Sequence, residues 1–227
     1  MYERRLPIYI LVDTSASMYG EPIEKIRSAL LGFLCDLIGD PCMLEIVWLS
    51  VITFGNVAKQ VVPLTSIQDF RLPEFTTEGL SALNSALSLL CDTRENEVVR
   101  AAVDHKGDWR PYFFCFTDGK MVIDAIESGI ADVKRKRWGK CGFFLVGADA
   151  DSTCLKSINQ DYIYKFEQSV PLKEFIAKMT SFEPIVNCPK DRENLSIKGA
   201  VDLQVPPCPP VILCEEKASK EISEDFS

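Results

Sequence analysis

The chain has 227 residues, of which 47% are hydrophobic and 26% are charged, so it can bury the core of an ordinary globular protein. Its net charge of −8 and pI of about 4.9 argue against non-specific binding to nucleic acid or to an anionic membrane, since both need a cationic surface. No apolar run approaches about 18 residues and no signal peptide is visible, so we expect a cytoplasmic protein without a membrane segment.

The first predicted element is a buried strand at residues 6–12 that ends at the loop Asp13-Thr14-Ser15-Ala16-Ser17. Its apolar run is continuous rather than alternating, which is typical of a central strand covered on both faces. Ligands of open parallel sheets lie beyond the carboxyl ends of such strands. Asp13, Ser15 and Ser17 can converge there, and three oxygen donors with one negative charge are typical of a hard divalent cation site, most naturally for Mg²⁺.

A helix and a hairpin are predicted next. Gly20-Glu21-Pro22 opens the helix, whose apolar residues recur at helical spacing until Gly39-Asp40-Pro41 ends it. We expect a strand at 43–54, a turn at Gly55-Asn56 and a second strand at 57–64, because the two apolar runs flank a short turn signal. This hairpin would place one antiparallel strand at the edge of the sheet.

Two helical patterns and another buried strand follow the hairpin. The helical patterns cover residues 79–90 and 96–103, and the strand covers 112–117 and ends at Asp118-Gly119. The single histidine, His105, lies in a polar loop before this strand. Without nucleophile and carboxylate partners it cannot form a catalytic triad, so we interpret it as solvated surface.

The pattern after residue 120 predicts five further elements: a helix at 122–138, a strand at 141–146, a short helix at 155–158, an edge strand at 162–166 and a closing helix at 172–182. Strands alternating with helices predict an α/β fold with a doubly wound, mostly parallel central sheet, one antiparallel edge strand and helices on both faces. We expect one domain over residues 1–187. Residues 188–227 are rich in proline and acidic, which predicts an extended or disordered tail.

Three other features have more than one interpretation. Lys134-Arg135-Lys136-Arg137 is the only basic run, and we interpret it as the solvated, cation-rich end of a helix rather than as a binding patch. Asp149 and Asp151 follow a core strand at the same sheet edge as Asp13, where they either cap a helix or lie at the rim of the site. The nine cysteines are scattered, mostly among apolar residues, without C-x-x-C pairs, as expected of reduced thiols in the cytosol. The alternative is that Cys188, Cys208 and Cys214 bind a metal or a partner.

The pattern D-x-S-x-S at the end of the first strand, here Asp13, Ser15 and Ser17, resembles the metal-ion-dependent adhesion site of von Willebrand factor type A (VWA) domains. That family also needs a hydroxyl in a Gly-containing loop before a helix, and an aspartate after a later core strand, often as T-D-G. Gly79-Leu80-Ser81 and Thr117-Asp118-Gly119 supply both pieces in the expected order. The resemblance therefore implies Ser81 and Asp118 as further metal ligands. Waters would complete an octahedron around Mg²⁺, and Mn²⁺ or Ca²⁺ could replace it.

Ser81 stands where the family usually has a threonine. A serine keeps the oxygen donor but lacks the methyl group that restricts χ1, which would weaken metal binding. Thr76 and Thr77 are alternative donors from the same segment. Ser81 could also serve as the N-cap of the following helix.

The resemblance also implies a function. VWA domains recognise proteins by letting a partner's Asp or Glu carboxylate complete the coordination of the metal. We therefore expect a monomeric, non-enzymatic protein-binding module, with no catalytic residues and no organic cofactor. Within the family the chain looks closest to the short, free-standing bacterial proteins of the TerY tellurite-resistance type, because the domain begins almost at Met1. That narrower resemblance implies a stress-response complex with a kinase or a phosphatase as partner.

Two other functions compete with this one. A phosphohydrolase would use Mg²⁺ as a Lewis acid, but the sequence has no phosphate-binding Gly loop, no histidine near the site and no second carboxylate cluster. Alternatively, the site is vestigial and the domain is a metal-independent scaffold. The serine at position 81 and the unusual residues after Gly119 are compatible with that interpretation.

Overall fold

A computed structural model describes residues 4–120, 127–139, 141–147, 150, 155 and 163–166. The strands are β1 (Leu6–Asp13), β2 (Val47–Phe54), β3 (Ala58–Ser66), β4 (Tyr112–Thr117), β5 (Cys141–Val146) and β6 (Ile163–Phe166). The helices are α1 (Glu21–Gly39), α2 (Pro41–Ile46), α3 (Leu83–Glu97) and α4 (Glu127–Arg135), with a short 3₁₀ helix at Ala16–Met18.

The six strands form one sheet in the order β3-β2-β1-β4-β5-β6. Every neighbouring pair is parallel except β2 and β3, which form the antiparallel hairpin. The predicted α/β fold, with a mostly parallel sheet and one antiparallel edge strand, is confirmed. The chain leaves β1 on one side to form β2 and later returns to its other side as β4, so the carboxyl end of β1 lies where ligands of such sheets bind.

Both faces of β1 are buried. Tyr9 of β1 belongs to the same buried cluster as Leu87 of α3 and Ile130 of α4. Ile8 and Ile10 alternate with Tyr9 along the strand, so they point to the other face of the sheet, where they are also buried. The continuous apolar run of β1 is explained by this double cover.

The strand predicted at 43–54 is wrong over its first residues, which belong to α2. The Asp40 side chain caps this helix, accepting hydrogen bonds from the backbone N–H groups of Cys42 and Met43 at 2.9 and 3.3 Å. Pro41 follows at the first helical position, where its fixed φ favours a helix. This local cap overrides the strand preference of the apolar residues, and β2 begins only at Val47.

The bounds of α3 also differ from the prediction. The helix begins at Leu83, after the N-cap Ala82, rather than at residue 79. Gly79 has a φ of +71°, which no helix contains. It ends at Glu97, so the helix predicted at 96–103 is wrong. Residues 98–111 form an irregular loop instead, tied down by Asp108, whose carboxylate accepts from the Val99 N–H at 2.9 Å and pairs with Arg5 at 2.7 Å.

The other predicted elements differ only at their ends or lie beyond the described residues. Lys134 and Arg135 occupy the last turn of α4. This position agrees with the prediction that the basic run is the cation-rich end of a helix. Asp149, Asp151, the closing helix at 172–182, the boundary at residue 187 and the tail lie outside the described residues. None of the described helices combines the length and the apolar character needed to cross a membrane.

Candidate metal centre

Asp13, the last residue of β1, lies at the centre of the candidate site. It is fully buried, and both oxygens of its carboxylate accept hydrogen bonds. Oδ1 accepts from the Ser15 backbone N–H at 2.9 Å, and Oδ2 accepts from the hydroxyls of Ser81 and Thr117 at 2.9 and 2.7 Å. Burial raises the pKa of the Asp13 carboxyl, and the hydrogen bonds from these three residues act in the opposite direction. The carboxylate is therefore held in one orientation.

Ser15 and Ser17 lie in the turn that follows Asp13. Ser15 is buried and Ser17 is exposed, and their hydroxyl oxygens are 3.2 Å apart. The Met18 N–H donates to the Ser15 carbonyl at 2.9 Å, which closes the 3₁₀ turn. The turn brings the two hydroxyls together beside the Asp13 carboxylate, as the spacing of the three residues led us to expect.

Ser81 reaches the site from the loop before α3. It is half-buried, and its hydroxyl donates to Asp13 over a separation of 68 positions in the chain. Within the described residues, the hydroxyl that this segment supplies to Asp13 is that of Ser81, not that of Thr76 or Thr77. The N-cap of α3 is Ala82, which has no side-chain cap. The interpretation of Ser81 as the helix N-cap is therefore wrong.

Hydrogen bonds between loops fix the position of Ser81. The Ala16 N–H donates to the Gly79 carbonyl at 2.9 Å, and the Leu80 N–H donates to Oδ1 of Asn56 at 3.1 Å. Gly79 has a left-handed φ of +71°, and a Cβ at this position would collide with the Asn56 side chain. The close approach of the three loops thus depends on a glycine at position 79.

Asp118 follows β4, the strand beside β1, and is 4% exposed. Its Oδ1 accepts from the Lys120 backbone N–H at 3.0 Å. Its Oδ2 is buried, and within the described part of the chain it has no hydrogen-bond partner. The Lys120 ammonium lies 4.0 Å from that oxygen. A buried carboxylate oxygen without a partner is costly, and a bound cation would remove that cost.

Thr117 is a site residue that the sequence reasoning missed. It is fully buried, donates to Oδ2 of Asp13 and accepts from the Gly119 N–H at 3.0 Å. The pairing of Val12 with Phe116 places Thr117 beside Asp13 in the sheet. The sequence signal for this residue is the threonine of the T-D-G pattern, which the prediction used only to locate Asp118.

The donors at this edge of the sheet fit a hard divalent cation. The donors are two carboxylates, from Asp13 and Asp118, and three hydroxyls, from Ser15, Ser17 and Ser81. They lie at the end of β1, in the turn after it, directly after β4 and in the loop before α3. An all-oxygen set suits Mg²⁺, Mn²⁺ or Ca²⁺. In the part of the chain that the structure describes, no group of three or more His, Cys, Asp or Glu could hold a metal, so an ion here would depend on the serine hydroxyls.

Sequence similarity alone does not assign the chain to a family. No family model matches the chain. An uncharacterized protein of Synechocystis sp. is 29% identical over 126 residues, a match that covers 52% of this chain and 27% of the relative. The matched segment therefore spans about a quarter of that relative.

Solved structures reveal the fold more clearly. Manganese-loaded TRAP of Plasmodium vivax superposes with a TM-score of 0.56 and 17% identity, covering 79% of this chain and 73% of that one. The mussel byssus protein PTMP1 with a zinc-occupied MIDAS motif gives 0.53 and 15%, covering 78% and 46%. The SpRpn10 VWA domain gives 0.50 and 12%, covering 80% and 96%. At identities this low, the similarity shows only the fold, which is that of a VWA domain.

Proposed function

We propose that the chain is a non-enzymatic, divalent-metal-dependent module that binds proteins, and that a partner's Asp or Glu carboxylate completes the coordination of a bound Mg²⁺. The observation that carries the proposal is the buried Oδ2 of Asp118, which has no hydrogen-bond partner in the described part of the chain. It lies at the same sheet edge as Asp13 and the serine hydroxyls. A cation bound among these groups would coordinate the buried Oδ2 of Asp118.

Each residue of the site has a distinct part in this proposal. Asp13, Ser15, Ser17, Ser81 and Asp118 would hold the ion, directly or through water. When bound, the ion would supply an open coordination position for a partner's carboxylate, because the two carboxylates of the site balance its charge but do not exceed it. Thr117 would act through Asp13, whose carboxylate its hydroxyl holds in place.

The identity of the metal is part of the proposal. Mg²⁺ is the natural ion for an all-oxygen site that keeps several waters. Among proteins of the same fold, TRAP is manganese-loaded and PTMP1 has zinc in its MIDAS motif. We therefore expect Mn²⁺ to replace Mg²⁺ in binding assays.

The narrower resemblance to TerY-type proteins also belongs to the proposal. It would place the chain in a bacterial stress-response complex, with a kinase or a phosphatase as the acidic partner. Its support is the sequence alone, through the site motif of Asp13, Ser15 and Ser17.

The proposal is tested by titrating Mg²⁺ and Mn²⁺ into the wild-type protein and into Asp13→Ala and Asp118→Asn by isothermal calorimetry. Asp92→Ala is the matched control, because Asp92 is an exposed carboxylate on α3. We expect saturable binding by the wild type and the control. Neither site variant should bind, and circular dichroism should show that both variants fold.

Two outcomes would contradict the proposal. Equal metal affinity in the wild type and both site variants would place the ion elsewhere on the molecule. No metal binding by the wild type, even at millimolar concentration, would favour the vestigial scaffold instead.

A further inference from the structure

Three large apolar side chains next to the candidate metal centre are exposed to water. Tyr19, Val57 and Leu80 are 80%, 75% and 80% exposed, and we call these three residues the apolar rim. Single exposed apolar residues are ordinary on a protein surface. Several around one site indicate a surface that binds a partner.

Two members of the rim lie on adjacent loops. The Leu80 N–H donates to the Asn56 side chain at 3.1 Å, and Val57 directly follows Asn56. Leu80 also directly precedes Ser81, whose hydroxyl is bonded to the central carboxylate of the site. The Val57 and Leu80 backbones are therefore close to each other and to the metal centre.

The third member of the rim joins the same set of loops. Tyr19 follows the 3₁₀ turn that carries Ser17, and its N–H donates to the Ala16 carbonyl at 3.2 Å. The Ala16 N–H in turn donates to the Gly79 carbonyl, one residue before Leu80. All three rim residues thus come from loops that are hydrogen-bonded to one another.

A cationic group complements this apolar surface. The Lys120 side chain is about half exposed, and its ammonium lies 4.0 Å from Oδ2 of Asp118. The carboxylates of Asp13 and Asp118 would balance a divalent ion, so Lys120 would leave these groups with one net positive charge. The occupied site would therefore offer an anion a positive charge and an open metal position within apolar surroundings.

We propose that this surface binds a protein segment in which an acidic residue is flanked by apolar side chains. The inference rests on the proposed metal-dependent function. The acidic residue would meet the ion and Lys120, while its apolar neighbours would cover Tyr19, Val57 and Leu80. Removing those side chains from water favours such a segment over one whose acidic residue has polar neighbours.

The test uses two libraries of synthetic peptides. One has a fixed central Glu with randomised positions on both sides, and the other has Gln at the centre. Each library is passed over the immobilised full chain in Mg²⁺ or in EDTA, and the retained peptides are sequenced by mass spectrometry. The two centres measure dependence on the carboxylate, and the randomised positions measure the preference for its neighbours.

Matched variants connect the preference to the rim. The test variant combines Tyr19→Ser, Val57→Ser and Leu80→Ser. The control combines Ile38→Ser and Val103→Ser, two other large hydrophobic residues that are exposed, at 51% and 109%. Because all five side chains are exposed, both variants should keep the fold, and circular dichroism checks this.

We expect the wild type and the control to retain Glu peptides with apolar neighbours in Mg²⁺. The rim variant should bind the selected peptides at least about tenfold more weakly, as expected when a contact with one large apolar side chain is lost. Its dependence on Glu and Mg²⁺ should remain. This pattern would establish the rim as the part of the surface that selects the partner.

The contrary outcomes separate the two proposals. Retention that depends on Glu and Mg²⁺ without apolar neighbours, or with the same neighbours in the rim variant, would overturn this inference alone. Retention that ignores Glu or Mg²⁺, or no retention at all, would overturn the proposed function and this inference together. Self-association by the wild type but not by the rim variant, in analytical ultracentrifugation, would assign the rim to a second copy of the chain and overturn the inference.

Discussion

The two carboxylates of the candidate site have different surroundings, although they lie at the same sheet edge. Both oxygens of Asp13 accept hydrogen bonds from the protein. Asp118 has one oxygen bonded to a backbone N–H, while the other has no hydrogen-bond partner in the described part of the chain. Asp13 is therefore fixed in orientation, and Asp118 provides an oxygen that accepts no hydrogen bond from the described residues and has the Lys120 ammonium 4.0 Å away.

Thr117→Val should lower both stability and metal affinity. The change keeps the shape of the side chain but removes the hydroxyl that donates to Asp13 at 2.7 Å. Hydrogen bonds to charged groups contribute about 1.5–3 kcal/mol, so we expect a loss of that size in the free energy of unfolding. Urea denaturation measures the stability, and calorimetric titration of Mg²⁺ measures the affinity.

Thr93→Val is the matched control for this prediction. Thr93 is also buried, but its hydroxyl donates to the Leu89 and Leu90 carbonyls within α3, away from the site. Its substitution should leave the Mg²⁺ affinity unchanged. Equal affinity in the wild type and Thr117→Val would show that Thr117 does not position Asp13.

At the residue scale, the sequence indicated only part of the site. Asp13, Ser15 and Ser17 could be found because their spacing follows directly on a buried strand. Ser81 and Asp118 came from a family resemblance. Thr117 belongs to the T-D-G pattern that locates Asp118, but its role beside Asp13 follows only from the pairing of β1 with β4.

At the scale of helices and strands, the predicted types were mostly right and the ends were often wrong. Apolar periodicity predicts which segments are buried, and the strands around 112–117 and 141–146 follow it closely. It does not predict where a helix starts. The Asp40 cap favours the start of α2, and the left-handed φ of Gly79 excludes a helix at that residue, before α3 begins at Leu83.

Gly79→Ala should destabilise the protein and disturb the loop that carries Ser81. A Cβ at this position would collide with Asn56 and oppose the hydrogen bond from the Leu80 N–H to that side chain. A residue other than glycine with positive φ costs about 1–3 kcal/mol. We expect a loss of that size in the free energy of unfolding, measured by urea denaturation, together with weaker Mg²⁺ binding.

Gly32→Ala should have the opposite effect on stability. Gly32 lies inside α1, and a Cβ there would have no atom within 4 Å. Alanine in a helix interior stabilises by about 0.5–1 kcal/mol relative to glycine. If both variants lost stability equally, the special role of the backbone at Gly79 would be refuted.

At the scale of the whole molecule, the fold class was predictable and the strand order was not fixed by the patterns alone. The alternation of strands and helices predicts a parallel sheet, and the turn at Gly55-Asn56 predicts the antiparallel edge. However, each core strand is a similar apolar run, so its pattern does not predict which strands pair with it in the sheet. The pairing of β1 with both β2 and β4 is what brings Asp13 and Asp118 to one place.

Mg²⁺ should stabilise the wild-type domain but not Asp118→Asn. An ion that binds only the folded state adds about 2.7 kcal/mol at a concentration of 100 times its Kd. In EDTA we expect Asp118→Asn to be at least as stable as the wild type, because a neutral amide replaces a buried charge. The ion pair of that charge with the half-exposed Lys120, at 4.0 Å, contributes little. Thermal melts in Mg²⁺ and in EDTA measure both effects.

Asp92→Asn is the control for these melts, because Asp92 is exposed on α3. It should respond to Mg²⁺ as the wild type does. A wild-type melting temperature that is the same in Mg²⁺ and in EDTA would contradict the prediction.

The separation of the site residues along the chain has a consequence for folding kinetics. Asp13 lies 68 positions from Ser81 and 104 from Thr117, so these contacts form only after long loops have closed and β1 has paired with β4. A cation that needs all of them would find no site in a partly folded chain. It would slow unfolding and leave the refolding rate nearly unchanged. The lifetime of the folded state, rather than the speed of reaching it, would then depend on the concentration of the ion.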